Sequence, residues 1–408
     1  METLAKTATR QYGLDWVRVS AFSLLIFYHT GMFFVTWDFH FKNPDTSKSM
    51  ELWMLFMNQW RLPLLFLISG AGVSFALKKR SGWQFTKERF VRLFIPIVFG
   101  MLVVVPPQIY MERLYKHQFT GSYLDFYPSV FNFVPYPEGG SLSWHHLWFI
   151  VYLFFYCLIG LPLFLYLRKP DGQRLMAKVT SFVQKYPLSL FLLAVPIEVY
   201  YITLYPKFEI THGLTDDWFN HAFSFTMFVY GYILALQPAL LESIKNIRKV
   251  SLIGGIVSFL TMLVFVFMPY RDYITFIPKF PIEPYDASFL VYFTLKSFNL
   301  WFWILAIIGY ALHSLNFSNR FLTYANEAVY PFYILHQSVM LVIGYYIIQW
   351  NVGVIPKFFL IAVGMFVITA LIYEFGIRRW KLTRVLFGLK PQREKLAKAV
   401  SSANLTNA

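Results

Sequence analysis

The chain has 408 residues, of which 57% are hydrophobic, 21% are aromatic and only 14% are charged, and its mean hydropathy is +0.50. Because soluble proteins carry about 25% charged residues, this composition excludes an ordinary soluble globular protein. The formal net charge of +15 does not indicate nucleic-acid binding, since the basic residues cluster in alternate connections between apolar runs. The single cysteine, Cys157, excludes an intramolecular disulfide and a cysteine metal cluster.

Apolar runs long enough to cross a bilayer recur along the whole chain. A spanning helix needs about 20 mostly apolar residues. Ten such segments are predicted, at approximately 13–36, 51–76, 90–110, 145–167, 187–206, 218–237, 250–269, 287–313, 327–350 and 354–376. The first segment contains Asp15 and Arg18 and lacks a small-residue cleavage site, so we expect it to remain as a span. The predicted fold class is all-α, a polytopic membrane helical bundle with about ten transmembrane helices, with residues 1–376 forming a single domain.

The distribution of Lys and Arg predicts the orientation of this bundle. The basic segments are the N-terminus, 77–92, 168–186, 238–249, 314–326 and the tail 377–408. By the positive-inside rule these segments and both termini are predicted to be cytoplasmic. The tail begins basic and ends polar, so its first part is expected to lie along the anionic inner leaflet of the lipid bilayer. The outer segment 111–144, rich in Pro, Gly and Tyr, could form a lid over the outer mouth.

The first span carries an unusual polar stripe. Arg18 and His29 are eleven residues apart, which on a helix is about 20° past three full turns and about 16 Å along the axis, so they share a face. Asp15 precedes Arg18 by three residues and can pair with it. One interpretation is that Asp15 and Arg18 simply reach the inner interface. His29 lies deeper, where ionisable residues usually serve a site, and imidazole transfers protons near neutral pH.

A basic cytoplasmic segment, "KKRSGWQFTKERFVR", precedes the third span. Its residues Arg89 and Arg92 are three apart and therefore occupy neighbouring positions on one helical face. The alternative is a role in topology alone, because the positive-inside rule predicts Lys and Arg here anyway. Guanidinium groups bind phosphate as a fork, so the pair suits the phosphates of a nucleotide-like donor such as a coenzyme A thioester.

Five further residues are candidates for contact with a substrate. They are Arg61 near the outer start of the second span, His146 and Trp148 at the outer entrance of the fourth, His336 at mid-depth in the ninth and Glu374 near the inner end of the tenth. Four of them have a structural alternative: His146 and Trp148 could belong to an interfacial aromatic belt, His336 could be a packing histidine, and Glu374 could pair with Arg378. The sequence has no zinc-ligand spacing, phosphate-cradling glycine loop or GxSxG elbow, so no metal is expected.

Several of these motifs together resemble one family. The Arg18-x10-His29 pattern, Arg89-x-x-Arg92, "FLISGAGVS", "HLWFI" at 146–150 and "PFYILHQ" at 331–337 are similar to the recurring motifs of membrane acyltransferase family 3. The segments "LDWVR", "RLPLLFLISG" and "IYEFGIRR" resemble its glucan-biosynthesis branch. The resemblance covers nearly the whole chain.

The resemblance implies an O-acyltransferase of the bacterial plasma (inner) membrane. It would move an acyl group, of acetyl or succinyl type, from cytoplasmic acyl-CoA to a hydroxyl of an extracytoplasmic glycan. His29 would be the general base, supported by Arg18 and Asp15, and Arg89 and Arg92 would hold the donor phosphates. An acyl-histidine intermediate and direct transfer both remain open, and so do the acyl group, the acceptor and the oligomeric state.

The alternative function is a proton-coupled transporter or flippase of a small solute or lipid-linked sugar, with the polar stripe as its path. The absence of an internal repeat or an inverted pair of broken helices disfavours a transporter of the inverted-repeat type. A purely structural scaffold would leave the intramembrane His29 unexplained.

Overall fold

The structure is a computed structural model that describes residues 11–267 and 285–390. In this part of the chain the regular structure is helical and contains no β-strand. The helices are α1 Tyr12–Gly31, α2 Lys48–Leu77, α3 Gly82–Tyr115, α4 His145–Ile159 continued by Leu161–Leu167, α5 Pro170–Lys185, α6 Pro187–Thr203, α7 Trp218–Leu236, α8 Pro238–Phe267, α9 Ala287–Ser314, α10 Arg320–Ile347, α11 Val354–Ile377 and α12 Lys381–Leu386.

Eight helices in the described ranges are individually long and apolar enough to cross a membrane, or ten if each of two bent pairs counts as one span. The all-α membrane bundle predicted from the sequence is thereby confirmed. One bent pair is α4, whose two parts meet at 50°, and the other joins α5 to α6 at 109°. Residues 168–186, predicted as a plain connection, mostly form α5. It exposes Leu175 and Phe182 beside charged residues, a pattern typical of an interfacial helix.

The two ends of the described chain lie at the same end of the bundle. Arg18, near the start of α1, contacts Asn326, and Arg384, near the end of the described chain, contacts the next residue, Glu327. Trp16 also donates a hydrogen bond from Nε1 to the carbonyl of Phe317, between α9 and α10. We call this end the inner end, following the predicted orientation, and the opposite end the outer end. The end of the predicted seventh span and the polar end of the tail lie outside the described residues.

The helix α3 is irregular at two points. π-helical turns occur at Phe90–Phe94 and Gly100–Val104, shortly before Pro96 and Pro106. Proline has no N–H to donate, and its ring clashes with the carbonyl four residues earlier, so a regular α-helical turn cannot continue into it. The wider turns accommodate the prolines without ending the helix.

The described part of the tail folds onto the inner end of the bundle. Arg384 in α12 is 5% exposed, and its Nη2 lies 2.5 Å from Oε1 of Glu327 in α10. Arg92 donates from Nε to the carbonyl of Gly388 at 3.0 Å. On the other side of this segment Trp380 and Leu382 are exposed. The tail therefore helps to fix Arg92, which belongs to the predicted donor site.

Two glycines allow α2 and α7 to cross closely near the centre. A Cβ added at Gly70 would lie 1.8 Å from the carbonyl oxygen of Phe228, and one at Gly231 would lie 1.7 Å from that of Leu67. The two backbones therefore touch, as small residues permit in membrane helices. Gly72, in contrast, has no atom within 4 Å of its Cβ position.

Gly70→Val is expected to destabilise the folded bundle by about 1–3 kcal/mol or more, because the added side chain would meet a backbone carbonyl that cannot move away. The measurement is the midpoint of thermal unfolding of the detergent-purified protein. Gly72→Val is the matched control and is expected to leave that midpoint close to wild type. Equal midpoints for the two variants would contradict the close crossing.

Candidate active site

Two histidines from distant parts of the chain meet inside the bundle. His29 lies in the last turn of α1, and His336 lies in the middle of α10 with 1% of its surface exposed. Nδ1 of His29 and Nε2 of His336 are 2.8 Å apart, and the angle between the two rings is 9°. The predicted catalytic residue and one of the predicted substrate-binding residues thus form a hydrogen-bonded pair.

The partners of this pair assign its protons. Nδ1 of His336 lies 2.6 Å from the carbonyl oxygen of Tyr333, which can only accept, so His336 carries its proton on Nδ1. Nε2 of neutral His336 is then an acceptor, and His29 must donate to it from Nδ1. Neutral His29 therefore keeps a lone pair on Nε2. A histidine held in one tautomer by a chain of this kind is suited to act as a general base.

The pair separates two cavities. The larger, about 900 Å³, opens at the outer end and is lined by His29 together with residues of α2, α3, α4 and the outer connections. The smaller, about 110 Å³, is an apolar slot between α1, α10 and Phe366 of α11, and His336 lies in its wall. We call them the outer cavity and the inner slot. Leu25 and Tyr333 line both, so the two spaces are neighbours, and the histidine pair lies between them.

Arg61, a predicted substrate-binding residue, lies in the wall of the outer cavity. It is 4% exposed, and its guanidinium carbon is 3.4 Å from the centroid of the Tyr28 ring. Since Tyr28 precedes His29 in α1, the cation and the histidine pair belong to the same end of the cavity.

The other two outer candidates, His146 and Trp148, make hydrogen bonds or ring contacts with other residues of the protein. Nε2 of His146 donates to the carbonyl of Ile334 at 2.9 Å, and its Nδ1 lies 3.1 Å from Nε2 of Gln108. The Trp148 ring is stacked on His212 with centroids 4.1 Å apart. Both residues line the outer cavity, but both ring nitrogens of His146 and one face of Trp148 are already occupied.

The inner part of the polar stripe has its own network. Arg18 and Asp15 pair at 3.5 Å, which confirms the pairing predicted from their spacing. Nη2 of Arg18 also donates to Oδ1 of Asn326 in α10. The stripe therefore joins α1 to α10 at its inner end as well as at His29. Whether Arg18 and Asp15 take part in the reaction stays a prediction.

The two arginines of the predicted donor site share one carboxylate. Arg89 and Arg92 each lie 3.4 Å from an oxygen of Glu88, and Arg80 lies 3.2 Å from the same residue. The guanidinium of Arg89 also lies over the Phe85 ring at 4.8 Å. The three cations thus converge at the inner end of α3, an arrangement that can accept a phosphate in exchange for Glu88.

Glu374 lies apart from both cavities. Its oxygens accept from Nη1 of Arg378 at 3.0 and 3.1 Å, and Oε2 also accepts from the hydroxyl of Tyr324 at 3.2 Å. The structure therefore gives Glu374 the ion pair that the sequence offered as the alternative to substrate binding.

A second polar cluster in the outer cavity is missing from the sequence-based candidates. Nδ1 of His40 lies 2.5 Å from Oε2 of Glu112, and the ring of His145 stacks on His40 with centroids 5.2 Å apart. The other oxygen of Glu112 accepts from Lys116 at 2.5 Å and from the hydroxyl of Tyr136 at 2.6 Å. Burial and the Glu112 carboxylate raise the pKa of Tyr136, so its phenol remains a donor.

This cluster is also the described group that could hold a metal ion, since one ligand atom from each of His40, Glu112 and His145 lies within 4.8 Å of the others. A cation there would have to share Glu112 with the ammonium of Lys116. The three side chains come from three separate segments, so no spacing pattern could have found them. The available signal was a glutamate close after the predicted third span.

The chain is similar in sequence to known proteins. The sequence profile of the acyltransferase domain of family 3 matches residues 11–374. Glucans biosynthesis protein C of Salmonella typhimurium strain LT2 is 22% identical over 404 residues, which cover 96% of this chain and 98% of the relative. The proteins of the same name from Salmonella heidelberg strain SL476 and Salmonella typhi are each 22% identical over 396 residues, or 94% of this chain and 96% of the relative. No solved structure matches the chain.

The matched region includes both histidines of the pair, the outer cavity and the inner slot. The resemblance predicted from the sequence motifs is therefore confirmed: the chain belongs to membrane acyltransferase family 3, and it is a multi-pass membrane protein that transfers acyl groups.

Proposed function

We propose that this enzyme transfers a short acyl group, of acetyl or succinyl type, from cytoplasmic acyl-CoA to a hydroxyl of an extracytoplasmic glycan. The membrane would be the bacterial inner membrane. The observation that carries the proposal is the histidine pair between the two cavities, with the lone pair of His29 available as a base.

The donor side of the proposal uses the inner slot. The slot runs from Tyr324, near the start of α10, to His336, and its lining is mainly apolar. A narrow apolar slot suits the acyl thioester at the end of the pantetheine arm, while the nucleotide stays outside. Arg89 and Arg92 would bind its phosphates. The hydroxyl of Tyr330, which is buried without a partner among the described residues, supplies a further hydrogen-bonding group near these arginines. Nδ2 of Asn326, which is buried and likewise without a partner there, lies beside Arg18.

The acceptor side uses the outer cavity. Its volume of about 900 Å³ is larger than a narrow channel for water would require, and it is large enough for one or more sugar rings. Aromatic and polar groups such as Trp144, Tyr136 and Lys116 line it, and amphipathic surfaces of this kind bind sugars. The relatives named glucans biosynthesis protein C support a glucan as the acceptor.

The chemistry follows from the protons of the pair. Nε2 of His29 takes the proton of the acceptor hydroxyl as its oxygen attacks the thioester carbonyl carbon. The C–S bond breaks, and the proton passes from His29 to the leaving thiolate, giving the ester and free CoA. An acyl group on Nε2 would occupy the only ring nitrogen left for the base, so we propose direct transfer instead of an acyl-histidine. Arg18, with Asp15, would hold α1 against α10 beside the slot.

The test uses the purified protein in lipid nanodiscs with labelled acetyl-CoA or succinyl-CoA and a glucan oligosaccharide. We expect acylated glucan and an equal amount of free CoA, with a preference for one donor. If no acyl-CoA is consumed and the protein moves a sugar or lipid-linked sugar across proteoliposomes, the transporter hypothesis is correct and this proposal fails.

A further inference from the structure

Arg61 in the wall of the outer cavity is a buried cation that has no carboxylate partner among the described residues. Its Nε and Nη1 atoms are buried without a hydrogen-bond partner in the described ranges. Its close contact is Tyr28, whose ring centroid lies 3.4 Å from the guanidinium carbon and whose side chain also forms a hydrogen bond with Arg61. Burying an unpaired charge is costly, and stacking on a ring offsets only part of that cost. The N–H donors of Arg61 are therefore suited to bind an anion. That anion is either a charged group of the substrate or a charge that forms during the reaction.

The position of Arg61 favours an anion that forms during the reaction over an anion that arrives with the substrate. Arg61 shares the cavity wall with His29, and Tyr28 neighbours both groups: its ring centroid lies 3.4 Å from the guanidinium carbon and 5.9 Å from the centroid of the His29 ring. The carbonyl that receives the attack must lie next to the hydroxyl that His29 deprotonates. Its oxygen gains a negative charge at that moment, inside the cavity whose wall His29 and Arg61 share.

We propose that Arg61 is a catalytic residue that stabilises the oxyanion of the tetrahedral intermediate. This inference rests on the proposed function. As the acceptor oxygen bonds to the carbonyl carbon and His29 takes its proton, the π electrons of the carbonyl move to its oxygen. N–H groups of Arg61 donate to that oxygen. When the electrons return and the C–S bond breaks, the thiolate leaves with the proton from His29, and Arg61 returns to its initial state.

The empty donors are what such a role requires. An interaction speeds the chemical step only when it is stronger in the transition state than in the ground state. Donors that are already fixed by the protein and unpaired at rest make their bonds only as charge develops, without reorganisation. A guanidinium already satisfied by a carboxylate of the protein would lose that advantage.

The experiment measures kcat and KM for acetyl-CoA, whose acyl group carries no second charge, with wild type, Arg61→Gln, Arg61→Lys and Arg61→Ala. We expect Arg61→Gln to lower kcat by about 10²–10³-fold with little change in KM, as for loss of an oxyanion donor elsewhere. Arg61→Lys is expected to keep part of the rate. Added guanidinium chloride is expected to restore part of the activity of Arg61→Ala, because the cavity is open at the outer end.

The matched control is Arg248→Gln. Arg248 is another arginine with a buried Nε that is unpaired among the described residues, but it lies in α8 over Tyr310, away from the outer cavity. The kcat of the Arg248→Gln variant is expected to equal that of wild type. Thermal unfolding of each variant establishes that it is folded.

Several outcomes overturn the inference. Wild-type kcat in folded Arg61→Gln would do so, and so would a raised KM alone. A loss seen with succinyl-CoA and not with acetyl-CoA would make Arg61 the binding site of an acyl carboxylate instead. If wild type itself transfers no acyl group, it is the proposed function that fails, so the two failures are distinguishable.

Discussion

Replacing His29 with glutamine is expected to lower the rate of acyl transfer by about 10²–10⁴-fold, the usual contribution of a general base. Glutamine fills a similar volume and its amide can still donate to Nε2 of His336, but it cannot take up a proton. The measurement is the single-turnover rate of transfer from labelled acyl-CoA to a glucan by the purified protein. The variant is expected to bind acyl-CoA with unchanged affinity, as measured by the shift of its thermal unfolding midpoint.

The control for this variant is His313→Gln, because His313 lies exposed in the last turn of α9. It is expected to transfer acyl groups at the wild-type rate. A His29→Gln protein that retains the rate to within a few-fold would remove His29 from the chemistry.

Replacing His336 is expected to lower the rate of acyl transfer nearly as much as replacing His29, although His336 does not contact the acceptor. Its Nε2 accepts the Nδ1 proton of His29 and thereby keeps the lone pair of His29 on Nε2. In His336→Met nothing holds that tautomer, and loss of the correct tautomer in a comparable histidine relay costs about 10⁴ in kcat. We therefore expect His336→Met to lower kcat by about 10³-fold or more, with KM for the donor little changed.

A conservative variant separates this positioning role from a structural one. His336→Gln offers an amide oxygen that can accept from Nδ1 of His29, and a hydrogen bond of that kind is worth about tenfold in rate. We expect His336→Gln to be about tenfold faster than His336→Met. Equal rates for the two folded variants would mean that His336 only fills space.

The sequence predicts the fold well because the bilayer imposes simple constraints on length and charge. Each predicted span follows from a run of about 20 apolar residues, and the pairing of Asp15 with Arg18 follows from helical spacing. What the sequence misses depends on tertiary packing. Hydropathy does not distinguish the amphipathic α5 from a loop, and it does not show that the tail returns to cover Arg92.

The residues of the candidate site likewise fall into those that the sequence identifies and those that only tertiary packing brings together. His29 is identified because an ionisable group inside an apolar run is conspicuous, and Arg61 is identified for the same reason. The partnership of His29 with His336 spans 307 residues of sequence and depends on how α1 packs against α10. The cluster of His40 and Glu112 is likewise a product of packing, since a connection after the first span folds over the end of α3. No spacing rule joins such segments.

Sided proteoliposomes test most directly whether the acyl group crosses between the two cavities at His29. Proteins in one orientation would be supplied with labelled acyl-CoA only on the side of Arg89 and Arg92, and with glucan only on the opposite side. We expect labelled glucan on the side opposite to the acyl-CoA, with all CoA retained where it was added. Product that forms only when donor and acceptor share one compartment would contradict such a crossing.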